Sequence, residues 1–246
     1  MKIALVGTGQ MGQAVERLAP ERDHEIAARF NTDRPLTDAD PGALDDVDLV
    51  IDFSLPDVAL EHIELYCEWN QPAVIGTTGW YDHLGDVQGW VDEHEASLLY
   101  APNFSVGVAL LRRGLRAVLP LLDELPEYDA YVREMHHRRK ADSPSGTALM
   151  LADEVLAGLA RKSDVDIEAQ HTPVAENVLH VSSTRTGDVF GEHDVGFDSA
   201  FDHLKLSHRA KSRAGFAFGA IKAAEWLRGR QGLFTLEDVL EDWLGE

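Results

Sequence analysis

The first part of the chain alternates short apolar runs with segments of helical periodicity. The apolar runs predict strands at Ile3 to Val6, Glu25 to Phe30, Leu49 to Phe53, Ala73 to Ile75 and Ser97 to Tyr100. The periodic segments predict helices over Gln10 to Leu18, Pro56 to Trp69 and Tyr81 to Glu95. Strands that alternate with helices are typical of βαβ units with parallel strands. We therefore expect an α/β fold here, a Rossmann-like doubly wound parallel sheet.

The pattern changes after Asn103. Helices are predicted over Val106 to Leu122 and Ser145 to Arg161, and strands over Tyr128 to His136, Val178 to Thr186, Asp188 to Phe197 and Leu204 to Ala210. These elements favour a second α+β domain with a mostly antiparallel sheet over residues 106–214. Two last helical patterns, Gly215 to Arg228 and Leu236 to Leu244, could pack back on the first domain. We therefore expect a discontinuous first domain, residues 1–105 and 215–246.

Composition narrows the class of protein. The 246 residues are 44% hydrophobic, which is enough for a substantial core in one large or two small domains. The chain has no apolar run of about 18 residues and starts as a strand without a signal-peptide pattern, so we expect a cytoplasmic protein without membrane association. The single cysteine, Cys67, excludes an internal disulfide and favours a buried structural thiol. No Cys/His cluster has ligand spacing, so we expect no metal.

The charge balance is strongly acidic. The chain has 22 basic and 43 acidic side chains, a net charge of -21, which argues against nucleic acid as a partner. Surface carboxylates at this density repel one another at low ionic strength, whereas screening at high salt relieves the repulsion. Composition alone leaves two interpretations open, an ordinary acidic protein and a protein of a salt-rich cytoplasm.

A glycine-rich segment, Gly7-Thr-Gly9-Gln-Met-Gly12, follows the first predicted strand and opens the first predicted helix. This context lets the backbone approach a pyrophosphate at a helix N-terminus, where N–H groups attract anions. The alternative is a glycine turn in an α/β protein without a cofactor. On the first interpretation the expected dinucleotide contacts in this segment are Gly7, Gly9, Gln10, Met11 and Gly12.

Three further segments fall where the second, fourth and fifth predicted strands end. Asn31 occupies the position of the acidic residue that would hold the ribose hydroxyls of NAD, so the choice between NADH and NADPH stays open. The loops Gly76-Thr77-Thr78-Gly79 and Ala101-Pro102-Asn103-Phe104-Ser105 carry small hydroxyl and amide side chains that suit a nicotinamide carboxamide and ribose. Both loops could also be plain turns. Ligands of open α/β sheets collect at these strand ends.

The richest chemistry lies between Glu134 and Thr147. His136 and His137 titrate near neutrality, and Lys140 can act as a cationic general acid. Directly after them, the segment from Ser145 to Thr147 begins a predicted helix whose backbone N–H groups attract carboxylates or phosphates. The segment can thus hold an anion and protonate a group beside it. The alternative is a solvated basic strand end followed by a capped helix.

Taken in order along nearly the whole chain, these motifs closely resemble the 4-hydroxy-tetrahydrodipicolinate reductase family. The motifs are Gly7-x-Gly9-x-Met11-Gly12, Asp52-Phe-Ser54, Gly76-Thr-Thr-Gly79, Ala101-Pro-Asn-Phe-Ser105, Glu134-x-His136-His137-x-x-Lys140-x-Asp142-x-Pro144-Ser-Gly-Thr147 and Gly191-Glu-His193. The block from the paired histidines to Ser-Gly-Thr is the specific part, because many nucleotide-binding enzymes share the glycine loop.

The resemblance implies a function. Members of the family reduce a cyclic imine dicarboxylate, with loss of water, on the diaminopimelate route to lysine, and they use NADH or NADPH. They are typically homotetramers built through the second domain. Carried over by motif position, His136 is the catalytic donor or acceptor, His137 a substrate contact and Lys140 the second proton donor, while Gly146 and Thr147 form a cradle for a substrate carboxylate.

A basic cluster comprises His208, Arg209, Lys211 and Arg213. It resembles a recurring segment of the family, but packing of a charged outer strand explains the cluster as well as substrate contact does. Another NAD(P)-dependent amino-acid dehydrogenase or reductase would share the first domain without needing adjacent histidines. A non-enzymatic dinucleotide sensor would need neither Lys140 nor a carboxylate cradle.

The acidity generates a first prediction. If repulsion among surface carboxylates limits stability, the melting temperature rises as KCl increases from millimolar to molar, where the screening length shrinks to roughly 3 Å. Thermal unfolding in a KCl series measures this, with NaCl as the control, because screening depends on ionic strength and not on the cation. A flat or falling curve assigns the acidity to the ordinary class.

Overall fold

A computed structural model of the chain describes residues 1–245. The strands, in chain order, are β1 (Lys2–Val6), β2 (Glu25–Phe30), β3 (Leu49–Asp52), β4 (Ala73–Ile75), β5 (Ser97–Tyr100), β6 (Asp129–His136), β7 (Asp164–Asp166), β8 (Val178–Arg185), β9 (Glu192–Asp198), β10 (His203–Arg209) and β11 (Gly232–Thr235). The α-helices are α1 (Gln10–Leu18), α2 (Pro56–Glu68), α3 (Leu84–His94), α4 (Val106–Asp123), α5 (Gly146–Gly158), α6 (Ala214–Leu227) and α7 (Leu236–Leu244). Short 3-10 helices lie at Pro20–Arg22, Leu36–Asp38, Pro41–Leu44 and Tyr81–His83.

The chain divides into two compact units. Unit 1 comprises Met1–Val106 and Arg213–Glu246, and unit 2 comprises Gly107–Ser212. Each has its own buried apolar core. They are described separately below.

Unit 1 is built on a six-stranded sheet in the order β11-β5-β4-β3-β1-β2, and every pairing in it is parallel. Strand β3 is buried along its whole length, as expected for a central strand covered by helices on both faces. The predicted Rossmann-like class is therefore confirmed. The order reverses between β1 and β3, and in open parallel sheets ligands bind at the carboxyl ends of strands beside such a reversal.

Unit 2 contains a five-stranded sheet in the order β10-β9-β6-β8-β7. Strand β9 is antiparallel to β10 and β6, whereas β8 is parallel to β6 and β7. The sheet is therefore mixed, with two antiparallel pairings and two parallel pairings that the sequence prediction did not specify. The physical reason is α5, which follows β6 and packs on the sheet, because a strand that is reached through a crossover helix returns parallel to its predecessor.

Most differences from the sequence prediction concern short edge strands. The prediction lacked β7 and β11, which are only three and four residues long and lie at sheet edges. Strand β9 starts at Glu192 and not at Asp188, because Gly187 and Gly191 have positive φ and interrupt the extended backbone before it.

Cys67 is buried, as predicted. Within residues 1–245 no helix has the length and apolar character that a bilayer crossing requires.

Candidate active site

In unit 1 the glycine segment forms a tight turn at the carboxyl end of β1. Gly7 has φ +86, and a Cβ there would lie 2.2 Å from the carbonyl oxygen of Phe53. A Cβ on Gly12 would lie 2.0 Å from the carbonyl oxygen of Gly7, so both positions require glycine. Gly9, by contrast, has no atom within 4 Å of its Cβ position. The turn therefore leaves open space at Gly9, directly before α1.

Gly9 is the N-cap of α1 and provides no capping side chain. The first N–H groups of a helix lack intrahelical partners, so the start of α1 at Gln10 and Met11 presents donors beside this open space. The first turn also contains no acidic residue that would repel an anion. The geometry therefore fits a pyrophosphate group.

Asn31 follows β2 and contacts the glycine segment. Its Nδ2 donates to Thr8 Oγ1 at 3.3 Å, while its Oδ1 accepts from the backbone N–H groups of Asp33 and Arg34 at 2.9 and 3.0 Å. The side-chain carbonyl is thus occupied by its own turn. The guanidinium of Arg34 lies 5.0 Å from the centre of the Phe30 ring. The end of β2 therefore presents an amide and a cation.

A buried carboxylate, Asp52, holds the loops at the ends of β3 and β4. Its Oδ1 accepts from Ser54 N at 2.7 Å and Thr77 Oγ1 at 3.3 Å. Its Oδ2 accepts from Tyr66 Oη at 2.7 Å and from His62 Nδ1 at 3.0 Å. Burial opposes ionisation, but the hydrogen bonds and the charge of His62 outweigh it and lower the pKa of Asp52. Thr77 is thereby fixed from inside the unit.

The other predicted cofactor residues lie on the same strand ends. Gly76 packs on the Phe53 ring, which would lie 2.1 Å from a Cβ there, and Thr78 is exposed beside it. After β5, Ala101 and Phe104 are buried, Pro102 is exposed, and Asn103 Oδ1 accepts from Ser105 N at 2.8 Å. In unit 1 the structure thus places the predicted residues on the loops that follow β1, β2, β4 and β5 and in the first turn of α1.

In unit 2 the central strand β6 carries an acid–base pair. Side chains two apart on a strand share one face, and Glu134 and His136 are both buried on the face that packs against the core. His136 Nδ1 donates a short hydrogen bond to Glu134 Oε2. Among the described residues no hydrogen bond reaches His136 Nε2. Glu134 therefore orients the ring and leaves Nε2 as the nitrogen available to a ligand.

Glu134 accepts further hydrogen bonds, from Arg185 and from a backbone N–H group. Arg185 binds both carboxylate oxygens, with Nη2 at 2.7 Å from Oε1 and Nη1 at 3.0 Å from Oε2. The backbone N–H of Ser145 donates to Oε1 at 3.2 Å. Burial opposes ionisation, but the bonds from His136 and Arg185 outweigh it and lower the pKa of Glu134 to about 2. Glu134 is therefore a carboxylate at neutral pH and not a proton donor.

Gly191 borders His136 Nε2. Its φ is +154, and a Cβ there would lie 2.9 Å from Nε2. Any side chain at this position would crowd the available nitrogen, so glycine keeps it accessible.

A second buried histidine, His193, lies beside His136 with ring centres 5.1 Å apart. Burial and the neighbouring His136 lower the pKa of His193 to about 4, so its ring is neutral at physiological pH. His193 Nε2 lies 3.2 Å from Ser145 Oγ, which also accepts from Ala148 N at 3.2 Å as the N-cap of α5. His193 thus helps to hold the start of α5.

The start of α5 has the properties of an anion site. Its first turn contains no acidic residue, and no atom lies within 4 Å of the Cβ position of Gly146. Thr147 follows in the same turn. Backbone donors and open space therefore coincide at the predicted carboxylate cradle.

The loop between β6 and α5 carries the other predicted residues. Lys140 Nζ lies 2.8 Å from Asp142 Oδ1, and this bond lowers the pKa of Asp142. His137 donates its backbone N–H to Val189 O at 2.7 Å, and its buried Nδ1 has no hydrogen-bond partner in the described part of the chain. Both residues lie in the loop that follows His136, and in the described part of the chain neither side chain is hydrogen-bonded to the His136 ring.

Glu134, Arg185 and His193 had no assigned role in the sequence prediction, and Ser145 was assigned only to the start of the predicted helix. The spacing of Glu134 from His136 places both on one strand face. No local sequence pattern indicated a role for Arg185, because it contacts Glu134 across 51 residues of chain.

Among the described residues no group of three or more His, Cys, Asp or Glu side chains is arranged to hold a metal ion.

Comparison with known proteins covers nearly the whole chain. Models for "Dihydrodipicolinate reductase, N-terminus" and "Dihydrodipicolinate reductase, C-terminus" match residues 1–104 and 107–240. The 4-hydroxy-tetrahydrodipicolinate reductase of Christiangramia forsetii is 35% identical over 242 residues, 98% of each chain. The enzyme of the same name from Rickettsia rickettsii is 35% identical over 245 residues, 97% of this chain and 98% of that one.

A solved structure has the same fold. The dipicolinate-bound dihydrodipicolinate reductase from Paenisporosarcina sp. TG-14 superposes with a TM-score of 0.76 at 21% identity, covering 96% of this chain and 97% of that chain.

The two environments of Gly9 and Gly12 generate a prediction. Gly9→Ala should leave the melting temperature nearly unchanged but weaken dinucleotide binding at least about tenfold, roughly 1.4 kcal/mol, because its methyl group occupies the open space. Gly12→Ala should also lower stability, by about 1–3 kcal/mol, because its methyl group meets the Gly7 carbonyl. Thermal unfolding and NADPH and NADH titrations measure the two effects.

The matched control is Gly85→Ala in α3, which also has open space at its Cβ position and is exposed. It should change neither quantity appreciably. Wild-type affinity in Gly9→Ala would show that no pyrophosphate approaches this turn.

Proposed function

The chain belongs to the dihydrodipicolinate reductase family, and we propose that His136 and Lys140 in unit 2 donate the protons that accompany reduction of its substrate. Its activity is that of a 4-hydroxy-tetrahydrodipicolinate reductase, an oxidoreductase of lysine biosynthesis through diaminopimelate. The reaction converts 4-hydroxy-tetrahydrodipicolinate, a reduced pyridine nucleotide and a proton to tetrahydrodipicolinate, the oxidised nucleotide and water. A bound pyridine nucleotide supplies the hydride.

The observation that carries the catalytic proposal is the Glu134–His136 pair. Because the Glu134 carboxylate accepts from Nδ1, the protonated His136 ring presents its second proton at Nε2. Hydride addition to a conjugated imine builds negative charge on nitrogen, and a proton from Nε2 neutralises that charge. Glu134 stays ionised and holds the His136 ring in place during the transfer.

The two substrate carboxylates need donors. The start of α5 supplies backbone N–H groups at Gly146 and the Thr147 hydroxyl, and the open space at Gly146 leaves room for an anion. We assign His137 to substrate contact, with its unpartnered Nδ1 as the feature that supports this role. Lys140 is the second proton donor, and in this role it exchanges its partner Asp142 for the substrate.

Unit 1 is the proposed cofactor unit and unit 2 the substrate unit. The proposed cofactor contacts are Gly7, Gly9, Gln10, Met11, Gly12, Asn31, Gly76, Thr77, Thr78, Ala101, Pro102, Asn103 and Phe104. The fit rests on the open space at Gly9 and the orphan donors of α1. Asn31 can bind a ribose hydroxyl without repelling a 2'-phosphate, and Arg34 adds a cation nearby, so we propose that NADPH and NADH both serve.

We further propose a cytoplasmic homotetramer built through unit 2. The sheet face opposite to the core carries polar side chains, with Arg133 and Lys205 about half exposed around the buried Asp194. Arg133 Nη2 and Ser207 Oγ each lie 2.6 Å from an Asp194 oxygen. An ordered polar face of this kind suits contact with another copy of the chain. Neither nucleic acid nor membrane is an expected partner.

The function is tested with the purified protein in a coupled assay. Pyruvate and aspartate semialdehyde, with dihydrodipicolinate synthase, supply the substrate, and we expect NADPH and NADH oxidation only when the synthase is present. Oxidation with an amino acid or oxo acid alone would indicate another dehydrogenase. Cofactor binding without turnover, in a folded preparation, would indicate a sensor.

The same assay gives the cofactor ratio. We expect kcat/KM values for the two cofactors within about tenfold of each other, or roughly 1.4 kcal/mol. A preference of more than about a hundredfold for either cofactor would contradict the proposed role of Asn31.

Replacing either proton donor should impair the chemical step. His136→Ala and Lys140→Ala should each lower kcat by about two to four orders of magnitude, the usual size of a lost general acid. Cofactor affinity should barely change, because both residues lie in unit 2 whereas the proposed cofactor contacts lie in unit 1. Steady-state kinetics and cofactor titrations measure the two quantities.

His171→Ala is the control, because His171 is exposed and takes part in none of the contacts described for the site. It should retain wild-type kcat. If Lys140→Ala keeps more than about a tenth of kcat, Lys140 is a carboxylate contact and His136 or water supplies the proton.

A further inference from the structure

Arg185 is the last residue of β8 and pairs in register with His136 at the end of β6. Its guanidinium is mostly buried, with 18% of the side chain exposed, beside a Glu134 side chain that is fully buried. The planar fork binds both oxygens of Glu134. This bidentate geometry fixes the carboxylate plane in a way that a lysine ammonium cannot.

The same guanidinium also reaches the loop that carries Lys140. Arg185 Nη2 donates to the carbonyl oxygen of Asp142 at 2.6 Å, and the Asp142 side chain holds Lys140 Nζ. One side chain therefore connects the carboxylate that orients His136 with the loop that carries the second proton donor.

Arg185 also controls the charge around His136. The groups that face His136 are Glu134 from β6, Arg185 from β8 and His193 from β9, with His208 of β10 stacked on His193 at 6.4 Å and Lys140 and Asp142 in the adjoining loop. His193 is neutral at physiological pH. Glu134 therefore shares its negative charge between His136 and Arg185.

We propose that Arg185 is a positioning residue for proton transfer, which acts through Glu134 on His136 and through Asp142 on Lys140. The inference rests on the proposed function, because it takes His136 and Lys140 as the proton donors. It assigns Arg185 no contact with substrate or cofactor.

The test compares Arg185→Gln and Arg185→Lys with the matched control Arg161→Gln. Arg161 lies in the same unit, is similarly buried with 23% of its side chain exposed, and binds the carbonyl oxygens of Leu122 and Tyr128 away from the site. Arg185→Gln should lower kcat by about 100-fold, the size of a misplaced catalytic group, with cofactor KM nearly unchanged. Arg185→Lys keeps the positive charge but loses the bidentate fork, so its kcat should lie between those of Arg185→Gln and the wild type.

The pH profile separates positioning from a general loss of stability. Removing a cation near Glu134 favours the protonated form of His136. The pH at which kcat declines on the alkaline side should therefore rise by about one unit in Arg185→Gln. An NMR titration of the His136 ring should show the same upward shift without any turnover. Arg161→Gln should leave both values unchanged.

The outcomes are distinct. The inference would be overturned if Arg185→Gln and Arg161→Gln had the same kcat and the same alkaline decline of kcat with pH. An unchanged NMR titration of His136 in Arg185→Gln would also overturn it. A wild-type protein that binds cofactor but does not turn over would overturn the proposed function, and the NMR titration would still decide the role of Arg185. If Arg185→Gln does not fold, Arg185→Lys decides, since wild-type kcat in that variant would contradict a role for the bidentate fork.

Discussion

The geometry of the candidate site in unit 2 depends on one constraint. Hydrogen-bond donors must be supplied to the Glu134 carboxylate, which is buried on one face of the sheet. Glu134 is enclosed on the core face of β6 and is ionised, and removing a partner from such a charge costs roughly 3–5 kcal/mol. Its donors come from the end of β6, the end of β8 and the start of α5. Satisfying this carboxylate brings together a histidine, an arginine and a helix N-terminus, which are the groups that the proposed proton transfer and substrate binding use.

Unit 1 uses the same principle at its own central strand. Asp52 ends β3 and binds groups from α2 and from the loops after β3 and β4. Its pKa is also lowered despite burial, so this carboxylate too is charged. In each unit a buried anion fixes loops at a carboxyl strand end, where parallel strands direct ligands. Rigid loops of this kind lower the entropic cost of binding a cofactor or substrate.

The paired environments of His136 and His193 show how neighbouring groups of one type acquire different roles. His193 has Ser145 as its partner and is neutral, whereas His136 has a carboxylate partner at Nδ1. His193 can therefore hold the capping residue Ser145, while His136 is the proposed proton donor. The difference follows from a carboxylate two residues before His136 on the same strand face.

Local patterns in the sequence were enough to predict the class of unit 1, most helices and strands, and the motifs of the family, because hydrophobic periodicity and glycine turns depend on residues close in the chain. They also placed His136, Lys140 and Gly146 in one segment. Only the tertiary structure decided that β8 runs parallel to β6, that Arg185 meets Glu134, and that the side-chain carbonyl of Asn31 is occupied by its own turn. Strand direction and a partner 51 residues away depend on how distant segments pack, and a three-residue edge strand such as β7 has too few positions to show a period.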